Sequence, residues 1–215
     1  MSRLWLAPLL SAVVLTSASA QVANFDDPGL LGTTLRTPLY TTPPPPPYVT
    51  SIVTNGNTVN ALPFFFTSGV QNDNGLATVN TGPIDGGTVW GSGNYLRVNN
   101  INLQLALPSA APGLSFEYAY LGGNSNININ GTQLFSFGSP STLAGMTIGG
   151  VNIAATSSPI NGGQAGVVTL SGPISSFSVG GQEFFLDNIK IVPEPGSWAL
   201  LLAGGTFLLR RRGQK

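Results

Sequence analysis

The sequence predicts an all-β fold, a single antiparallel β-sandwich of jelly-roll-like character, and three observations carry that expectation. Apolar and polar residues alternate along several short runs, most plainly at Ile101, Leu103, Leu105 and Leu107 and again at Leu114, Phe116, Tyr118 and Tyr120. A period of two marks a strand with one buried face. The 215 residues include 28 Gly and 17 Pro, which with Asn break the chain into short segments, so turns recur at close spacing. Between the two terminal segments no window has the 3.6-residue period of an amphipathic helix.

The first strand reads as Val22 to Asp26, stopped by Asp27-Pro28-Gly29. Leu30 to Pro47 reads as loop. It carries a Pro-rich segment over 41–48, with five prolines from Pro43 to Pro47, which is stiff polyproline II and reads as a rigid surface connection more than as a ligand for an aromatic groove. Tyr48 to Thr54 is β-branched and ends at the tight-turn dipeptide Asn55-Gly56. Thr58 to Leu62, Phe64 to Phe66 and Leu76 to Asn80 follow, with Asn72-Asp73-Asn74-Gly75 as a turn. Thr88 to Gly91 and Asn94 to Asn99 read as a strand pair around Gly91-Ser92-Gly93. After the two alternating strands come Asn126 to Thr132, Leu134 to Phe137, Met146 to Ile148 and Val151 to Ala155. Ala165 to Leu170, Ile174 to Val179 and Gln182 to Ile191 read as three closing strands, the last two joined across Gly180-Gly181. Roughly ten to twelve such strands fit a two-sheet sandwich, which closes its edges within one domain. A parallel β-helix is the other all-β solution, suggested by Asn126-Ile127-Asn128-Ile129-Asn130, but no fixed repeat period runs through the chain.

The formal net charge of zero conceals an acidic body. Between Gln21 and Val192 there are three cations, Arg36, Arg97 and Lys190, against seven carboxylates, Asp26, Asp27, Asp73, Asp85, Glu117, Glu183 and Asp187, a net of −4. Such a surface lacks the basic footprint that nucleic acid requires. Charged residues are only 7% of the chain, so solubility rests on Ser, Thr, Asn and Gly, as in extracellular β-rich modules. With no Cys there is neither a disulfide nor a thiolate metal site, and a body of about 170 residues buries enough surface to need no staple.

The two ends differ from this body. Arg3, an apolar run from Leu4 to Val14 and the small residues Ala18-Ser19-Ala20 form a secretory signal peptide over 1–20, cleaved after Ala20. Segment 192–215 begins with Pro193-Glu194-Pro195, which stops regular structure. It continues as an apolar helix from Trp198 through Leu200, Leu201, Leu202, Phe207 and Leu208 to Leu209, then Arg210-Arg211-Arg212 as a positive stop. About 20 Å of apolar helix is short for a permanent anchor across ~30 Å of hydrocarbon. In that order the three features resemble the PEP-CTERM sorting segment. The resemblance implies a Gram-negative exported protein that enters the inner membrane transiently through this helix. There an exosortase recognises it and delivers it to the cell surface or biofilm matrix. A plain, unprocessed anchor helix is the alternative.

The body, 21–191, resembles jelly-roll modules of secreted carbohydrate-binding proteins at Asn24-Phe25-Asp26-Asp27 and at Phe184 to Ile191. That resemblance implies that the first and last strands lie side by side and that Asp26, Asp27 and Asp187 help hold a structural Ca²⁺. Parity gives an independent reason. If Phe185, Asp187, Ile189 and Ile191 share the core face, Asp187 is a buried carboxylate that needs a cation or backbone N–H partners.

For chemistry, the lack of His and Cys removes His-supported triads and the usual zinc sites. Asp85, Glu117 and Glu183 are the carboxylates by type suited to glycoside hydrolysis, yet Glu117, at the solvent-facing parity of its strand, and Glu183, after a turn, each read as a solvated surface group. Trp90 and Tyr95, with Tyr40 and Tyr48, are candidate stacking platforms for a sugar, and Asn94 and Asn99 candidate hydrogen-bonding partners. The expectation is a non-catalytic exported protein with glycan, extracellular polysaccharide in particular, as its ligand. A secreted glycan-processing enzyme and a purely structural or adhesive subunit are the alternatives.

Overall fold

Period-two alternation builds this molecule strand by strand, and the computed structural model describes residues 22–38, 48–84 and 87–192. The strands begin with β1 (Val22–Ala23), β2 (Thr34–Arg36), β3 (Tyr48–Val49), β4 (Ser51–Thr54), β5 (Asn57–Thr67), β6 (Val70–Asn72), β7 (Leu76–Thr81), β8 (Asn94–Asn99) and β9 (Ile101–Leu105). They continue as β10 (Ala111–Tyr120), β11 (Ser125–Ile129), β12 (Thr132–Phe137), β13 (Thr147–Ile148), β14 (Val151–Ala155), β15 (Ser158–Ile160), β16 (Gly163–Ile174), β17 (Phe177–Gly181) and β18 (Phe184–Ile191). Among the described residues the only helical piece is a 3-10 turn, Pro140–Leu143, capped by the Ser139 hydroxyl.

The strands form two sheets packed face to face. The larger runs β13-β14-β16-β10-β18-β8-β7-β2-β3, with β1 on β18 and β15 on β16. The smaller runs β12-β11-β17-β9-β5-β4, with β6 on β5. Among the described residues every pairing is antiparallel except that of β2 with β3. The first and last strands lie together, Val22 opposite Lys190 and Ala23 opposite Ile189. Alternate residues of both sheets meet in one core. Leu114, Phe116 and Tyr118 of β10 face Ile127, Phe177, Val179, Leu103 and Leu105 of the smaller sheet, and the Phe116 and Phe177 rings lie 5.6 Å apart. Truncating either ring to Ala would cost about 3–5 kcal/mol.

Several boundaries differ from the sequence expectation. Residues 34–36, read as loop, form β2, because Leu35 is wholly buried and the segment pairs between β7 and β3. The expected strand Asn126 to Thr132 is a hairpin: Asn130 takes φ 53 and Gly131 φ 79, so this Asn-Gly is the turn between β11 and β12. Thr88 to Gly91 forms no strand, and β8 pairs with β7 instead. Gly180-Gly181 is no hairpin turn either. Both glycines belong to β17 in the smaller sheet, and the chain crosses to the larger sheet before β18. The Pro-rich segment up to Pro47, the signal peptide and the tail from Pro193 onward lie outside the described residues. No described helix is long and apolar enough to cross a membrane.

Candidate functional site

The expected parity of the last strand breaks at one residue. Phe184 and Leu186 enter the main core, whereas Phe185 and Asp187 face the outer side of the larger sheet; Asn188, at φ 49, then forms a bulge that returns Ile189 to the core. The register records the extra residue, since Ser115 pairs with Lys190 and Glu117 with Asp187. Asp187 is therefore not among core apolar side chains. It lies fully buried beneath the loop Gly91–Ser92, directly opposite Glu117 on β10.

Backbone donors surround this carboxylate. Its Oδ1 accepts from Asn188 N at 2.7 Å, and its Oδ2 accepts from Ser92 N at 3.3 Å and from Asn188 Nδ2 at 3.2 Å. Burial pushes the Asp187 carboxyl up to about 7 from 3.8, and the charges of Glu117 and Asp26 push the same way, against the hydrogen bonds from Asn188 and Ser92. Asp26 holds the next stretch of the same loop: its Oδ1 accepts from Asn94 N at 2.6 Å and its Oδ2 from Asn24 Nδ2 at 3.0 Å. Gly93, at φ 127, passes so close to that carboxylate that a side chain there would overlap it. Asp27 turns away and accepts from Asn55 N at 2.6 Å. Each of the three aspartates named for calcium thus accepts from backbone or amide N–H groups, and the three do not come together as one group. Among the described residues no group of three or more carboxylates is placed to hold a metal ion.

Two of the aromatics named as sugar platforms, Trp90 and Tyr95, lie by the same loop. Trp90, Tyr95 and Phe185 form an edge-to-face trio, with centroids 5.8 Å apart for Trp90–Tyr95, 6.5 Å for Trp90–Phe185 and 5.7 Å for Tyr95–Phe185. With Ile84 and Ala119 they make a second, smaller core on the outer face of the larger sheet. Tyr95 is only 3% exposed, so its ring offers no stacking face, and Trp90 is half-buried. Asn94 donates its amide to Phe25 O at 3.1 Å, and Asn99 is exposed at the far end of β8. These four residues do not share one surface. Tyr48 packs its ring 4.1 Å from the Arg36 guanidinium at the edge of the larger sheet. Glu183 is exposed on the link before β18; Asp85 and Tyr40 lie outside the described residues.

Sequence reasoning missed a second surface. In the smaller sheet the core rows Ile129-Phe177-Leu105-Val59-Ile52 and Ile127-Val179-Leu103-Ala61 bracket a row that points the other way. That row is Gln133, Asn128, Ser178, Gln104, Asn60 and Ser51, one residue from each of six neighbouring strands, and it carries no charge. Beyond Pro63 strand β5 leaves its neighbour and crosses the same face as a wall: Phe65 O accepts from Asn126 Nδ2 at 2.8 Å, and Phe66 O accepts from the Ser136 hydroxyl. The half-buried rings of Phe65 and Phe135 meet edge-to-face at 5.8 Å in that wall. Two positions along β5 in the opposite direction, Thr58 and Ala106 help line an open cavity of about 260 Å³. Each amide is legible as one polar position of a strand, but their alignment follows only from register.

No family model, curated protein or solved structure matches this chain.

Proposed function

We propose that the chain is an exported, non-catalytic protein of the cell surface or extracellular matrix of a Gram-negative bacterium. An exosortase sorts it through Pro193-Glu194-Pro195, the apolar run and Arg210-Arg211-Arg212, and its jelly-roll-like sandwich binds glycan. The order of those three tail features is the observation that carries the reading. The body supports it by what it presents, an acidic, low-charge surface with a neutral amide row suited to hydroxyl-rich ligands.

Glycan processing rests on one arrangement, the carboxylates of Glu117 and Asp187 directly opposed on neighbouring strands. A hydrolase pair must flank a bound sugar. Asp187 is fully buried beneath the loop at Ser92, which favours the non-catalytic reading.

The test is made in an exosortase-bearing host with the full chain tagged within the body and after Lys215. The unaltered protein is expected to lose its C-terminal tag and to reach the surface or the medium. The triple variant Pro193→Ala, Glu194→Ala, Pro195→Ala is expected to keep the tag and remain in the inner membrane. Identical fractionation of the two proteins would overturn the sorting reading.

A further inference from the structure

We propose that the outward face of the smaller sheet is the ligand-binding surface, and that it takes an extended, neutral, polyhydroxylated chain laid across the strands along Gln133, Asn128, Ser178, Gln104 and Asn60. The inference deepens the glycan-binding reading and rests on it. The five side chains stand on adjacent strands in direct register. At ~4.8 Å per strand the full row including Ser51 is about 24 Å long, enough for several units of a polymer. Asn60, Gln104 and Gln133 are half-buried, and their amides make no hydrogen bond to other described residues. Each presents donors and an acceptor at once, which matches a hydroxyl that must both donate and accept.

A second observation lies behind the row. Asn102, only 3% exposed, donates Nδ2 to Pro63 O at 2.7 Å, yet its Oδ1 has no partner. That oxygen lies over Gly180, where a Cβ would come within 2.6 Å of it. No donor among the described residues satisfies it, and it belongs to the same outward-pointing series of β9 as Gln104. The wall adds the remaining part of a sugar site. Phe65 and Phe135 offer apolar ring surface beside the amides, against which the C–H face of a pyranose can rest.

The chemistry of the face selects this occupant over others. No charged side chain lies in the row, so an anionic polymer finds no cation there. A protein partner would call for a core rich in large apolar side chains and Arg, and the row holds only amides and hydroxyls.

Affinity electrophoresis of the full chain in gels containing dextran, galactomannan, hydroxyethyl cellulose or alginate tests the proposal, with sedimentation of the protein alone. Retardation by at least one neutral polymer and not by alginate is expected. The double variant Asn60→Ala, Gln104→Ala should weaken it by roughly tenfold or more, as for one to two lost hydrogen bonds. Its melting temperature should match the unaltered protein, since neither amide bonds to another described residue, and Trp90→Ala should leave retardation unchanged. Retardation that survives the double variant, or that Trp90→Ala abolishes, overturns this face while leaving glycan binding in place. Retardation by alginate alone overturns the neutral class. Failure of all four polymers overturns the glycan reading together with the site. A dimer that Gln104→Ala dissolves, with no polymer retarded, makes the face a self-association surface and overturns both.

Discussion

At the scale of single residues, Asp187 is the group whose chemistry departs furthest from its ordinary behaviour. Burial, Glu117 directly opposite and Asp26 across the loop all oppose its charge; Lys190, the nearest cation along its own strand, sits three residues away opposite Ser115. A carboxyl raised from 3.8 to about 7 in the folded chain binds its proton more tightly there than when unfolded. Its contribution to stability is therefore complete below about pH 4, falls as pH rises, and is gone above about pH 7. Thermal melting of the full chain from pH 4 to 8 should show a midpoint that declines across that window. Asp187→Asn, which cannot titrate, should flatten the decline. A midpoint that rises with pH, or the same decline in the variant, would show that Asp187 stays ionised within the fold.

Among elements, the β11–β12 turn does more than reverse the chain. Asn130 occupies the left-handed region, donates its amide to Gly149 O and Pro173 O, both at 2.9 Å, and accepts from Ser175 N at 2.7 Å. One side chain thus ties a hairpin of the smaller sheet to two connections of the larger. Asn130→Gly keeps the backbone freedom and removes the ties; Asn130→Ala removes both. Chemical denaturation should find the Gly variant down by about 2–3 kcal/mol and the Ala variant by roughly 1 kcal/mol more. Equal losses would mean that the positive φ costs nothing. The Asn-Gly dipeptide of this turn stood in the sequence in the same form as Asn55-Gly56, which reads correctly as the β4–β5 turn. It was hidden because Asn126 to Thr132 also satisfies strand alternation. The break at Asn188 is a different matter. An asparagine at positive φ leaves no mark on a two-residue period, so Phe185 and Asp187 could not be assigned to the outer face before the register was known. The alternating strands at Ile101 and Leu114, where pattern and packing agree, were legible from the outset.

For the molecule as a whole, the question is where the sandwich ends and the tail begins. Sequence alone draws the line at Pro193-Glu194-Pro195, because proline cannot continue a ladder. The ladder runs at least as far as Val192: Ile191 still pairs with Leu114, and Val192 N donates to Gly113 O at 3.0 Å. Val192 therefore belongs to the sandwich, although the reading from residues alone put it with the tail. Removing 193–215 leaves each of these ladder bonds intact, whereas a cut before Val192 deletes one and leaves Gly113 O without its donor. Truncation after Val192 should hold the melting temperature of the body within about 2 °C of the unaltered protein, while truncation after Ile191 should lower it by several degrees. In cell fractionation both truncated proteins should leave the inner membrane for the soluble fractions, since both lack the apolar run. Loss of folding on truncation after Val192 would mean that the sandwich needs the tail, and the proposed separation of a sorting segment from a ligand-binding body would fall with it.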